Sequence, residues 1–214
     1  MMFTISSQSL LLGGFIGYFV GSIPFAYLIT KWRTGKDLRR EGSGNIGARN
    51  AFEVTQDKQS GIFVLIADLL KGLLPVLAFE MAGQNEALLV LVPALILGHC
   101  YPIWLRFHGG RGLATIGGAI MLINPAMAVL WSILYFIARR LKDHVHFGAI
   151  GATGGTMAVV LLAPLPLLDH TTLAISGLTA SDMHELTLSV ALALLIILSR
   201  HVGPFVALMR SEDV

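Results

Sequence analysis

The stretch Leu113–Ala138, LATIGGAIMLINPAMAVLWSILYFIA, decides the fold. It carries no charged side chain and is long enough to cross a bilayer core of ~30 Å, for which roughly 20 apolar residues suffice. A single crossing would separate Arg139, Arg140 and Lys142, which follow it, from Arg106 and Arg111, which precede it. Lys and Arg of short loops gather on the cytoplasmic side, and Asn124-Pro125 is a helix-breaking pair. The charge pattern therefore predicts a hairpin that turns back at Asn124-Pro125. Each arm is shorter than a normal span, which a bundle tolerates when the arms are tilted or packed inside it.

Outward from this hairpin the same pattern repeats. Of the 214 residues, 55% are hydrophobic and 13% charged, against about a quarter charged in a soluble domain, and mean hydropathy is +0.73. Such a composition excludes a disordered chain and a nucleic-acid-binding surface, and argues against a cytosolic enzyme. One cysteine, Cys100, excludes a disulfide framework or a cysteine zinc site. Spans are predicted at about Leu10–Thr30, Gly61–Met81 and Ala87–Leu105 before the hairpin. Two more follow at about His146–Leu168 and Leu186–Arg200, the last continuing to Met209 if Gly203-Pro204 permits. The first has no basic n-region or cleavage site and reads as an uncleaved span. Its Gly13, Gly14, Gly17 and Gly21 allow close packing.

The expected fold class is all-α: a polytopic transmembrane helical bundle of about seven helices in one domain, residues 1–214. The N-terminus is outside and the C-terminus inside. Lys71, within the second span, is the exception to a cytoplasmic placement of every Lys and Arg. It lies i, i+3 from Asp68 and reads as half of a structural ion pair. The loop Asp169–Glu185, with acids and histidines but no Lys or Arg, reads as external.

Two loops on the cytoplasmic side are too polar for linkers. The first holds Gly42-Ser43-Gly44-Asn45-Ile46-Gly47-Ala48-Arg49-Asn50. Glycines permit left-handed backbone in which successive N–H groups face one anion. Ser43 and Asn45 add donors, and Arg49 a guanidinium fork. Composition alone fits a solvated turn equally well. The second, Gly98 to Gly112, sets His108-Gly109-Gly110-Arg111 at the start of a helix, where free N–H groups and the helix dipole favour an anion. Arg106 and Arg111 also suit lipid-headgroup anchoring, and His99 suits a bond to a backbone carbonyl. Two basic, glycine-rich loops on one face favour a shared phosphate site.

His144, His146, His170 and His184 lack acidic or cysteine partners at ligand spacing, so no metal is expected. No histidine has an aspartate five positions later, and no Gly-x-Ser-x-Gly elbow occurs.

These loops resemble those of the bacterial PlsY family of integral-membrane glycerol-3-phosphate acyltransferases, which use acyl-phosphate as donor. Ser43 to Asn50 matches the family's Ser-Gly-Asn-x-Gly-Ala-Thr-Asn, with Arg49 where threonine is usual. Gly98 to Gly112 matches Gly-His-x-x-Pro-x4-Phe-Lys-Gly-Gly-Lys-Gly, with His108 and Arg111 in place of the lysines. Gly21 to Phe25 and Asp68 to Gly72 are also similar to the family's first two helices. Three regions depart: Glu53 replaces an arginine, His146 and Ala149 replace serines, and His201-Val202-Gly203-Pro204-Phe205 lacks the asparagine of a His-Arg-x-Asn-Ile motif.

The resemblance implies acyl transfer from acyl-phosphate to the 1-hydroxyl of glycerol 3-phosphate, giving lysophosphatidic acid in phospholipid biosynthesis, without a cofactor. It implies catalytic roles for His99, Ser43 and Arg111, and phosphate binding by Gly44, Asn45, Arg49, Asn50, His108, Gly109 and Gly110. Partners are the two substrates and the lipid bilayer, with a monomeric chain in the bacterial inner or plasma membrane. An inactive or repurposed paralogue, a small transporter and a structural subunit stay open as alternatives at the level of sequence.

Overall fold

A computed structural model describes residues 6–162 and 180–212 of the chain. Those residues form nine α-helices: α1 (Ser7–Gly21), α2 (Phe25–Thr34), α3 (Ala48–Thr55), α4 (Lys58–Met81), α5 (Leu88–Cys100), α6 (Leu113–Ile123), α7 (Pro125–Leu141), α8 (Val145–Leu162) and α9 (Ala180–Glu212). No strand occurs among the described residues. Five stretches are long and apolar enough to cross a membrane: Ser7–Thr34, Lys58–Met81, Asn85–Leu105, Val145–Leu162 and His184–Ala207. The expected end of the sixth helix at Leu168 and most of the loop Asp169–Glu185 lie outside the described residues.

The hairpin forms where the sequence places it. Asn124 leaves the helical region (φ −153°, ψ 91°), and its side chain accepts from the Met127 N–H at 3.2 Å as the cap of α7. Pro125 occupies the first helical position, where its missing N–H costs nothing. The 11 residues of α6 rise only ~16 Å, about half the bilayer core. The arm thus reaches only part-way into the core, and Asn124 is buried at its tip.

Helix α5 is the hub. Leu88, Leu91, Val92, Leu95 and Ile96 are fully buried, with α1 packed on one side and α9 on another. The predicted glycine stripe of α1 makes the first contact. A Cβ added at Gly13, Gly17 or Gly21 would fall 2.6, 2.6 and 2.1 Å from the carbonyl oxygens of Ala87, Leu91 and Leu95. Small residues at every turn let the two backbones meet, the packing that replaces the hydrophobic drive inside lipid. Helix α4 pairs with α6, α7 with α8, and α8 with α9.

Three features depart from the expected spans. The first span is broken at Ser22-Ile23-Pro24, because Pro24 has no N–H to donate and disfavours helix before it. The Ile23 carbonyl, freed by the break, accepts from Lys71 Nζ at 2.9 Å, which satisfies it inside the bundle. The polar first loop contains α3, an eight-residue helix that the glycine-rich composition concealed. Helix α9 runs unbroken through Gly203-Pro204 to Glu212.

Candidate functional site

The two polar loops lie at the same end of the bundle, one after α2 and one after α5, since α4 and α5 run antiparallel. In the first loop Gly42 (φ 56°) and Gly44 (φ 68°) adopt the left-handed backbone that the motif predicts. What shapes the loop is Asn50. Its Oδ1 accepts from the Ser43 N–H at 2.9 Å, and its Nδ2 donates to the carbonyls of Leu38, Glu41 and Asn45 at 3.3, 3.1 and 3.0 Å. Asn50 is 1% exposed and its amide is fully committed. The amide that the sequence places among the phosphate ligands thus holds the backbone of its own loop. Ser43 is left exposed at the loop surface, with Gly44 and Asn45 half-buried beside it.

Arg49 opens α3 and is 68% exposed in its side chain, with Nε 2.8 Å from Glu53 Oε1. At the opposite end of the loop Asp37 caps a turn at Leu38–Arg40, and the Arg39 guanidinium holds its carboxyl down to about 2.

The second loop is built differently from the expected anion nest. Gly109 N–H donates to the Cys100 carbonyl and Gly110 N–H to the His99 carbonyl, both at 3.1 Å. These amides close the end of α5, where helical carbonyls lack partners. The two amides expected to face an anion are thus engaged with backbone carbonyls of α5. Glycine is required for another reason. A Cβ on Gly110 would sit 2.1 Å from His99 Nε2 and 2.4 Å from the Ile46 carbonyl oxygen. That second distance also shows the two loops in direct contact. His108 is exposed, and its Nδ1 bonds the Arg106 carbonyl at 2.7 Å within its own turn.

The carbonyls of the same glycines are held from α9, by a residue the sequence reading passed over. Arg200 Nε donates to Gly110 O at 3.3 Å and its Nη2 to Gly109 O at 3.2 Å. Its guanidinium carbon lies 5.1 Å from the centre of the Tyr101 ring, a cation–π distance. Arg111, between the glycine loop and α6, is half-buried. Burial first, then the charges of Arg200 and Arg49, push its guanidinium down to about 10. A guanidinium stays protonated, so the direction reports a positive charge held out of water near two others.

His146 at the start of α8 and His201 on α9 complete this end of the bundle. Their rings are 5.7 Å apart, with His144 5.2 Å from His146. The charges of Arg111 and Arg49 act on His146, and those of Arg111 and Arg200 on His201. His201 Nδ1 bonds the Ile197 carbonyl at 3.0 Å, while its Nε2 is buried with no protein partner, as is His146 Nδ1. Among the described residues no three His, Cys, Asp or Glu side chains are placed to hold a metal ion; His170 lies outside the described residues.

His99, 8% exposed, sits behind the glycine loop on α5. Its Nδ1 is 3.2 Å from Thr115 Oγ1 and 3.8 Å from Asp68 Oδ1, and Asp68 pairs with Lys71 at 2.8 Å. An apolar cavity of about 200 Å³ opens farther along the bundle between α4, α6, α7, α8 and α9, with Leu69, Ile116, Gly117, Ile120, Trp131 and Leu194 among its lining.

Arg49 on α3, Arg111 of the second loop, His146 on α8, and Arg200 and His201 on α9 thus lie at the end of the bundle where the two glycine loops meet, with Glu53 paired to Arg49. Of the residues that the sequence singles out, Ser43, Arg49, His99 and Arg111 lie at this end of the bundle. The sequence reading passed over Arg200, set His146 aside as a metal ligand and took His201 only as the first residue of a degenerate motif.

Comparison with known proteins agrees. Residues 11–211 match the glycerol-3-phosphate acyltransferase family profile. A glycerol-3-phosphate acyltransferase of Thermotoga petrophila is 35% identical over 72% of this chain and 86% of its own. One of Clostridium acetobutylicum is 33% identical over 92% of this chain and 95% of its own. The crystal structure of PlsY, an integral membrane glycerol 3-phosphate acyltransferase, in its glycerol 3-phosphate form superimposes with a TM-score of 0.74 at 26% identity, covering 95% of this chain and 93% of that one.

Proposed function

The chain belongs to the glycerol-3-phosphate acyltransferase family and is a multi-pass membrane enzyme of that activity, and from this premise we propose that its acyl donor is an acyl-phosphate. One observation carries the proposal: Arg49, Arg111 and Arg200 meet at one loop junction with almost no acid to neutralise them. One phosphate monoester does not need so much charge. Two phosphates, one on the acceptor and one on the acyl donor, do.

In this reading Ser43, Gly44, Asn45 and Arg49 hold one phosphate from the first loop. Arg111 holds the other, on the Gly109-Gly110 scaffold clamped by Arg200. The 1-hydroxyl oxygen of glycerol 3-phosphate bonds the acyl carbonyl carbon, and the bond from that carbon to the phosphate oxygen breaks. Inorganic phosphate leaves with the hydroxyl proton, and lysophosphatidic acid forms. Crowded guanidiniums stabilise the charge on the departing phosphate, and fixed placement of both reactants supplies most of the remaining rate. The apolar cavity along α6 takes the acyl tail. By the positive-inside pattern, both loops face the cytoplasm of a bacterial inner membrane.

The test is purified protein supplied with glycerol 3-phosphate and acyl-phosphate, acyl-CoA or acyl-carrier protein in turn. Phosphate release with acyl-phosphate, lost in Ser43→Ala and Arg111→Ala, is expected. Turnover with acyl-CoA alone overturns the donor, and wild-type rates in both variants overturn the site.

A further inference from the structure

The turn between α5 and the glycine loop buries one of its large apolar side chains and turns the others out. Leu105 is 4% exposed and packs in one core with Ile46 of the first loop and Val64 of α4, whereas Ile103, Trp104 and Phe107 are 49%, 60% and 56% exposed. The backbone holds this division under strain. Arg106 (φ 53°) and Phe107 (φ 63°) both adopt the left-handed conformation. An L side chain enters it at a cost and a bulky one rarely does; here two do so in succession. Internal bonds keep them there: the N–H groups of Arg106, Phe107 and His108 donate to the carbonyls of Ile103, Pro102 and Leu105 at 3.1, 3.0 and 3.2 Å. Strain persists where its surroundings over-determine it, and it points to a use. Its result here is an aromatic side chain turned outward two residues before Gly109.

What covers these side chains follows from their neighbours. The Trp104 ring centre lies 6.0 Å from that of Phe19 on α1, and Phe19 lies 4.5 Å from Phe15. Phe15 and Leu11 are 64% and 74% exposed on a stretch long and apolar enough to cross a membrane. The exposed side of the turn is thus continuous with a lipid-facing side of the bundle. Trp104 also donates its indole N–H to Ser22 Oγ at 2.9 Å. With its one polar atom satisfied inside the protein, the ring needs neither water nor a polar partner, which suits it to hydrocarbon. Arg106 is exposed in the same turn, and its long side chain can carry charge from that depth to headgroup phosphates.

We propose that residues 103–107 form a lipid-binding wedge. Ile103, Trp104 and Phe107 enter the acyl-chain boundary of the leaflet on the side of the two loops, Arg106 pairs with headgroup phosphates, and the glycine loop is held at headgroup depth. The kinetic consequence rests on the acyl-transfer reading above. A long-chain acyl donor, resident in the bilayer, meets the glycine loop at the depth of its own phosphate. A short-chain donor arriving through water gains nothing from the wedge.

Insertion is read from Trp104 emission in lipid nanodiscs, in Trp32→Phe/Trp131→Phe protein, where Trp104 is the sole tryptophan. The lipids carry bromine near the headgroup or deep in the chain, and stronger quenching by the shallow bromine is expected. Phe107→Asn keeps the left-handed backbone, which asparagine tolerates, and removes the apolar insertion. It is expected to weaken the quenching. On the wild-type background it should lower kcat/KM for a long-chain acyl-phosphate roughly tenfold, as when one phenylalanine leaves an apolar medium, and for a short-chain one less than about threefold. Ile103→Asn, at a residue without left-handed backbone, should act in the same direction and decides the matter if the Phe107 variant does not fold. Trp104 emission indifferent to both bromolipids overturns the proposal, as does an equal loss with both donors. Shielding of Trp104 that appears only when two chains share a nanodisc assigns the surface to a second copy and also overturns it. Wild-type protein without turnover on any donor would instead sink the acyl-transfer reading, and the quenching would still decide the wedge.

Discussion

Arg200→Ala removes the clamp on the second loop. The guanidinium makes two hydrogen bonds, to Gly110 O at 3.3 Å and Gly109 O at 3.2 Å, and faces the Tyr101 ring. Hydrogen bonds from a charged donor contribute about 1.5–3 kcal/mol each. At these long distances the low end applies, giving about 3 kcal/mol for the two. A half-exposed cation–π contact adds about 1 kcal/mol. Solvation of the freed carbonyls returns part of this, leaving about 3 kcal/mol that no longer holds the loop against Arg111. At about 1.4 kcal/mol per factor of ten, kcat/KM for glycerol 3-phosphate should drop roughly a hundredfold. Arg200→Lys should recover little, because an ammonium cannot fork to two carbonyls while stacking on tyrosine. The assay is initial phosphate release in nanodiscs, with unfolding temperature measured on the same preparations. A folded Arg200→Ala protein whose kcat/KM stays within threefold of wild type would refute the reasoning.

Two other substitutions separate scaffold from ligand. Asn50→Asp keeps the size but cannot donate to the Leu38, Glu41 and Asn45 carbonyls; leaving three acceptors facing a buried charge should cost about 3 kcal/mol and raise protease cleavage between Leu38 and Asn50, and an unchanged cleavage rate would contradict the role given to it. Gly117→Leu should pass into the apolar cavity, since a Cβ there meets only Leu69 Cδ2 at 3.6 Å; rates with long-chain acyl-phosphates should fall at least tenfold relative to short-chain ones, as a filled hydrophobic pocket loses about 1–3 kcal/mol of discrimination, whereas equal loss at all chain lengths would place the tail elsewhere.

Much of the fold was legible because lipid imposes simple rules. Arg139, Arg140 and Lys142 required the apolar run before them to return to its starting side, and Asn124-Pro125 carried both the cap and the N1 proline for that turn. The glycine stripe of α1 could be read as a packing face, though not against which helix. The break at Ser22-Ile23-Pro24 was hidden, because a proline in an apolar run is compatible with either a kinked or a broken span. Helix α3 was hidden by composition, since Gly, Ser and Asn around it suggest turns. In the site, residue types were legible and their duties were not. Asn50 looks like a ligand in a motif, and its amide bonds four backbone groups of its own loop. Gly109 and Gly110 look like an anion nest and spend their amides on the end of α5. Arg200 sits in an apolar helix beside a degenerate motif, where nothing local marks it as the partner of a loop about ninety residues away.

The sequence by itself determined a membrane bundle and its two basic loops, because transfer of charge into hydrocarbon is so costly that local composition settles which segments cross. Tertiary structure alone decided which of the polar groups remain available to a substrate. Hydrogen-bonding capacity is finite, and a buried amide or carbonyl is satisfied by whichever partner the packing brings near. At this loop junction those partners come from α3, α5, α6 and α9, a convergence that no stretch of the chain contains.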